Sequence, residues 1–122
     1  MKTDTAFEEV CRRLGIAVPE PSKPVGSYRP VVLSGGFAFL SGQISRGADG
    51  KPVTGRIGEG LSLDEGKRAA QLALIQAVSL VRREFGLERV EQVVRMTGYL
   101  QAAAGFSAHS DVMNAADRKS VV

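Results

Sequence analysis

The chain has one cysteine, one histidine and no tryptophan among its 122 residues. A lone Cys11 excludes an internal disulfide and any multi-cysteine zinc site, and a lone His109 excludes a histidine-rich metal cluster. No apolar run approaches the roughly twenty residues that cross a bilayer. The N-terminus "MKTDTAFEEV" is acidic where a signal peptide carries an apolar core. Excess charge of one sign is also lacking, with 16 Lys and Arg set among 13 Asp and Glu for a net charge of +3. The short pairs Arg12-Arg13 and Arg82-Arg83 fall in amphipathic segments and read as solvated helix faces, so a nucleic-acid partner is not expected. Phosphate loops, dinucleotide fingerprints and nucleophile elbows are absent: "GRIGEG" has the wrong glycine spacing, and no serine sits in a G-x-S-x-G register. These absences describe a cytoplasmic protein with no metal, no cofactor and no membrane partner.

What is present is enough for one domain, at 43% hydrophobic and 24% charged residues. Asp4 or Thr5 is placed to cap a short first helix with Phe7, Val10, Cys11 and Leu14 on one stripe, ending near Gly15. That helix is expected to be peripheral, with Cys11 a small buried hydrophobe. "VPEPSKP" then sets Pro19, Pro21 and Pro24 in an extended connector. Two β-rich runs, 28–33 and 37–41, flank Ser34-Gly35-Gly36 as a hairpin. Asp49-Gly50 marks a turn before a small edge strand at 51–57 that tolerates Pro52. In "LSLDEGKRAAQLALIQAVSLVRREFGLE", Ser62 and Glu65 form a capping box, and Gly86 ends the helix. Its stripe of Ala70, Leu74, Ala77, Val78, Val81 and Phe85, widened by Ala73 and Leu80, predicts a helix lying flat on a sheet. "VEQVVRMTGYLQAA" changes to period two and predicts a long strand; Ser110 and Asp111 then open a last helix.

Few of these residues carry chemistry by themselves. Asp64 and Glu65 are adjacent first-turn acids on different faces and are explained as a helix cap. His109 stands in a polar loop without a partner for general-base work. Turns and strand faces account for Gly26, Gly42 and Tyr28 without invoking a site.

Taken together and in order, "PVGSYRP", "LSGQIS", "VTGRIG" followed by "SLDEGKRAAQLALIQAV", and "RVEQVVRMTGYLQAAAGF" resemble the reactive intermediate deaminase (RidA, YjgF-like) family. The likeness is to a subgroup with an extra N-terminal helix, and it runs from about Glu8 to Ala116. The resemblance implies an α+β fold of the chorismate mutase-like kind, a mixed sheet with helices on one face. It further implies a homotrimer whose intersubunit clefts hold small carboxylated imine, enamine or keto-acid ligands. The implied activity is enamine/imine deamination, the hydrolysis of 2-imino acids to 2-keto acids and ammonia without metal or cofactor. A non-catalytic trimeric ligand-binding module is the alternative; an endoribonuclease is a third reading, and the chain lacks the basic-aromatic patch it needs.

Position by position, Tyr28 resembles the aromatic residue lining the family's cleft, and Ser41 and Gly42 the strand end whose backbone approaches the ligand. Gln43 reads as structural, and Asn114 resembles the asparagine of the second helix. The family's C-terminal arginine and glutamate match no residue here. Arg118 falls where the last helix should still run, so the carboxylate clamp is not transferred to it and no catalytic residue is assigned. The expected organisation is a helix and proline-rich connector over 1–24 and an incomplete domain of this family over 25–116, with its C-terminal strands missing. Residues 117–122, "DRKSVV", back-translate as GAT CGG AAG AGC GTC GTG, the start of a common sequencing-library adapter, and are expected to be artefactual. The chain is accordingly expected to be an inactive fragment.

Overall fold

The computed structural model describes residues 2–19, 29–47 and 49–117. Helix α1 (Lys2–Arg13) leads to a hairpin of β1 (Val31–Ser34) and β2 (Phe37–Leu40). Helix α2 (Leu63–Glu84), a 3₁₀ turn (Leu87–Arg89) and helix α3 (His109–Asp117) follow. The architecture is α+β, with a two-stranded antiparallel sheet among the described residues. No helix among them is long and apolar enough to cross a membrane.

Local chemistry explains most element ends. The Ser62 hydroxyl accepts from the Glu65 N–H at 3.1 Å and the Glu65 carboxylate accepts from the Ser62 N–H at 3.0 Å, the reciprocal box that starts α2. The hairpin turns on Gly35 and Gly36 with φ of +58° and +82°, a two-residue mirror-image turn that side chains resist. Its register pairs Val31 with Leu40 and Ser34 with Phe37. The expected caps Asp4 and Thr5 lie inside α1, which already begins at Lys2.

Helix α1 is not peripheral. Phe7 is fully buried and Cys11 nearly so, in one cluster with Ile75, Val78 and Leu87. Removing a phenylalanine side chain from water is worth on the order of 2–3 kcal/mol, more than an amphipathic helix of this length retains in isolation. Two arginines of α2 fix the dock. Arg82 reaches Asp4 at 3.6 Å and Glu8 at 2.5 Å while its guanidinium lies 5.7 Å from the centre of the Phe7 ring. Arg68 donates to the carbonyls of Leu14 and Gly15 at the other end of α1. With Arg82 near its start and Arg68 near its end, α1 runs antiparallel to α2.

The broad stripe expected on α2 extends to burial on two sides. Val78 faces α1 with the partly buried Leu74 and Val81, Leu80 is buried as expected, and Leu72, Gln76 and Ser79 are buried outside the stripe. The close neighbour of α2 is α3 rather than a sheet, with Gln71 Nε2 donating to the Ala115 carbonyl at 3.4 Å. Val112 and Ala116 of α3 are buried.

The long strand expected over the second half is absent as a paired element. Residues 91–101 form no ladder, and Val93, Val94, Met96 and Tyr99 stand exposed. An extended segment becomes a strand only where a neighbour accepts its N–H and C=O groups. Its end is held, however: Ile57 N–H donates to the Gln101 carbonyl and Ala103 N–H to the Ile57 carbonyl, both at 3.0 Å. The expected edge strand at 51–57 is likewise reduced to isolated bridges, Arg46 with Pro52 and Ile57 with Leu61 and Ala102. Buried Ile57 presses on Gly66, where an added Cβ would lie 2.9 Å from Ile57 Cδ1. This contact gives the glycine inside the first turn of α2 a packing role and ties that turn to residues 101–103.

Candidate functional site

From that tie the chain turns toward a cleft. Phe106 N–H donates to the Ala103 carbonyl at 3.1 Å, and the Phe106 ring lies against Gly58, where a Cβ would approach Phe106 Cδ1 to 3.1 Å. His109, the first residue of α3, meets this ring edge-on with centroids 5.0 Å apart and planes at 77°. An open cleft of about 310 Å³ lies beside it, lined by Gly98, Leu100, His109, Ser110, Met113 and Asn114. Ser110 and Asn114 are one helical turn apart, so their side chains share a stripe of α3. Gly98 makes room for Met113: a Cβ on Gly98 would fall inside the van der Waals envelope of Met113 Sδ.

The cleft is polar over an apolar floor. An imidazole, a hydroxyl and a carboxamide supply donors and acceptors, and Leu100 and Met113 supply the floor. Among the described residues no carboxylate lines it. Among the described residues no group of three His, Cys, Asp or Glu side chains is arranged to hold a metal ion. The volume lies near the lower end for small-molecule sites, which suits a ligand of a few heavy atoms.

Of the residues singled out from sequence, Asn114 lines this cleft. Ser41 extends the hairpin ladder by donating its N–H to the Pro30 carbonyl at 2.9 Å. Gln43 Nε2 donates back to the Ser41 carbonyl at 3.3 Å and hydroxyl at 3.4 Å, the structural task expected of it. Gly42 is exposed, and a Cβ there would meet no described atom within 4 Å. Neither Ser41 nor Gly42 lines the Asn114 cleft, so the structure does not gather these three residues around one cavity. Tyr28 and Arg118 lie outside the described residues. Of the other lining residues, the sequence offered His109 only as a general base without a partner, Gly98 as part of a strand-like pattern and Ser110 as a helix start. The available signals were a glycine inside a strand-like pattern and the helical spacing of 110 and 114.

Two groups outside the cleft have shifted titrations. Burial pushes the Cys11 thiol up, partly countered by Arg82, which fits a packing residue rather than a nucleophile. The Glu65 carboxyl is held below its usual range, first by the Ser62 backbone N–H and then by the Ser62 side chain.

Comparison with known proteins places the chain. The sequence is 34% identical over 106 residues to Protein TCP17 of Trypanosoma cruzi, a match covering 86% of this chain and 66% of that protein. It is 33% identical over 85 residues to a RutC family protein of Aquifex aeolicus (strain VF5), covering 70% of this chain and 59% of that one. The matches thus span less than two thirds of either relative's length. No family model matches the sequence. Among solved structures, a protein of Shewanella oneidensis MR-1 bearing an endoribonuclease label superposes with a TM-score of 0.82 at 26% identity, over 93% of this chain and 76% of that one. Atu1372 of Agrobacterium tumefaciens, a protein of unknown function, superposes with a TM-score of 0.85 at 24% identity, over 97% of this chain and 73% of that one. These likenesses define an α+β protein of RidA-like architecture. The chain belongs to the RutC/RidA (YjgF-like) family.

Proposed function

We propose that the protein is an enamine/imine deaminase whose intact form hydrolyses small 2-imino acids. Water adds across the C=N bond, the C–N bond breaks, and a 2-keto acid and ammonia leave. No change of oxidation state is involved and no cofactor is required. The observation carrying this reading is the cleft at Asn114, small and polar, in a chain of this family. In this reading the clefts are completed in a chorismate mutase-like homotrimer, where Tyr28, Ser41 and Gly42 would approach the ligand from another part of the assembly. Catalysis would then rest on positioning a carboxylated substrate and one water rather than on a strong acid or base.

A second reading, a non-catalytic module that binds small keto or imino acids, draws support from one feature: among the described residues no carboxylate lines the cleft to handle the water. The endoribonuclease label of one structural relative is not carried over, because the 16 Lys and Arg are dispersed among 13 acids. Ammonia release from 2-iminopropanoate, generated in situ by an amino-acid oxidase, separates the two readings. Acceleration over buffer supports the deaminase. Saturable binding of the keto acid without acceleration supports the module.

A further inference from the structure

We infer that Asp49-Gly50 is a site of spontaneous isoaspartate formation, which turns this exposed loop into a substrate for a carboxyl methyltransferase that recognises β-linked aspartate. Asp49 and Gly50 are both exposed. Their loop is closed by backbone hydrogen bonds from Gly50 N–H to the Gly47 carbonyl at 3.0 Å, Gly47 N–H to the Lys51 carbonyl at 2.9 Å and Val53 N–H to the Ser45 carbonyl at 2.8 Å. None of these residues lines the Asn114 cleft, so the modification is separate from the chemistry proposed there.

The Asp49 side chain is folded back on its own backbone. Its Oδ1 accepts from the Lys51 N–H at 3.0 Å, an Asx turn whose ring of atoms encloses the Gly50 nitrogen. The same oxygen lies 3.3 Å from where a Cβ on Gly47 would stand, so the glycine leaves the carboxyl room to fold inward. The hydrogen bond from Lys51 also withdraws electron density from the carboxyl carbon, the atom to be attacked. Gly50 has a φ of +77°, and a Cβ there would meet no described atom within 4 Å, so its nitrogen is shielded by no side chain of its own or of a neighbour. The other aspartates lack this combination. Asp4, Asp64, Asp111 and Asp117 lie in helices, and each precedes a residue that carries a side chain.

The reaction needs only water. The Gly50 nitrogen attacks Cγ of the protonated Asp49 carboxyl, and its proton leaves with the carboxyl hydroxyl as water, closing a succinimide ring. Water then adds to the Asp49 main-chain carbonyl and that C–N bond breaks. The chain now runs through Cβ and Cγ and carries a free α-carboxylate, with no change of oxidation state. The product inserts an extra carbon into the main chain between Gly47 and Lys51, whose hydrogen bond spans the turn.

The test incubates the full chain for weeks at neutral pH and physiological temperature in heavy-oxygen water, then digests it in ordinary water for mass spectrometry. A synthetic peptide of residues 45–53 is the unstructured reference. The inference expects a heavy oxygen atom in the Asp49 peptide of the folded chain and none at Asp4, Asp64 or Asp111. It also expects that peptide to accept a methyl group from S-adenosylmethionine when treated with a purified isoaspartyl methyltransferase. Asp49→Glu keeps the charge but cannot close a succinimide, and it should lose both signals while its circular dichroism matches wild type. Uptake by the free peptide but not by the folded chain, uptake equal at the helical aspartates, or methyl acceptance undiminished in Asp49→Glu overturns the inference.

Discussion

Gly98 and Met113 occupy one space: the absence of a side chain at Gly98 is what lets the Met113 thioether sit against the extended segment and form the floor of the cleft. Gly98→Ala should therefore drive Met113 outward and cost about 1–3 kcal/mol by overpacking. Met113→Ala combined with Gly98→Ala should recover a large part of that loss. Urea unfolding of the two single variants and the double variant measures the coupling, and simple additivity would dissociate the pair.

The dock of α1 is testable through its two ends. Phe7→Ala should cost about 3–5 kcal/mol, enough to unfold α1 from the rest. Arg82→Gln should cost about 1 kcal/mol, because its partners Asp4 and Glu8 are partly exposed and screened. Raising the salt concentration should narrow the gap between wild type and Arg82→Gln in thermal melts and leave the Phe7→Ala deficit in place.

Acid should weaken the start of α2. The folded Glu65 carboxyl titrates below its usual range. Its charged form therefore adds stability above the unfolded value of about 4.3, and the contribution disappears as pH falls through the lower folded value. Glu65→Gln keeps the shape of the capping box without the titration, so its stability should fall less than that of the wild type between about pH 5 and 3. Ser62→Ala removes the box itself and should cost about 1 kcal/mol at neutral pH. Matching acid limbs for wild type and Glu65→Gln would contradict the assignment.

Exposed apolar residues on the hairpin and the extended segment should make the chain self-associate. Leu33, Phe37 and Phe39 are at least half exposed, and Val94 is 71% exposed. Such unpaired, apolar extended segments template contacts with other chains. Light scattering should show growing particles, and Phe39→Lys with Val94→Lys should suppress them. A monodisperse, cooperatively melting wild-type chain would count against this.

The sequence was most informative where structure is decided locally. The Ser62–Glu65 box, the Gly35-Gly36 turn and the Gly86 stop depend on a few neighbouring residues, and each appears where the pattern placed it. Misreadings arose where distant residues decide. Phe7 and Cys11 look like the stripe of a minor helix until Ile75, Val78 and Leu87 are brought against them. Residues 93–100 carry a strand's period, but period fixes only which way side chains alternate and supplies no partner strand. Asn114, named through family likeness, lines the cleft, and the place of His109 and Ser110 beside it depends on the turn from Ala103 to Phe106 that precedes α3.

The central claim is hydrolysis of 2-imino acids at the Asn114 cleft. The most direct measurement is the initial rate of ammonia release from freshly generated 2-iminopropanoate, with wild type and Asn114→Ala compared against buffer. For the full-length protein, rather than these 122 residues alone, the account predicts acceleration by the wild type and a loss of at least about tenfold in Asn114→Ala, the scale of one lost positioning hydrogen bond to a charged ligand. A wild-type rate equal to buffer, in a preparation that binds pyruvate, would contradict it.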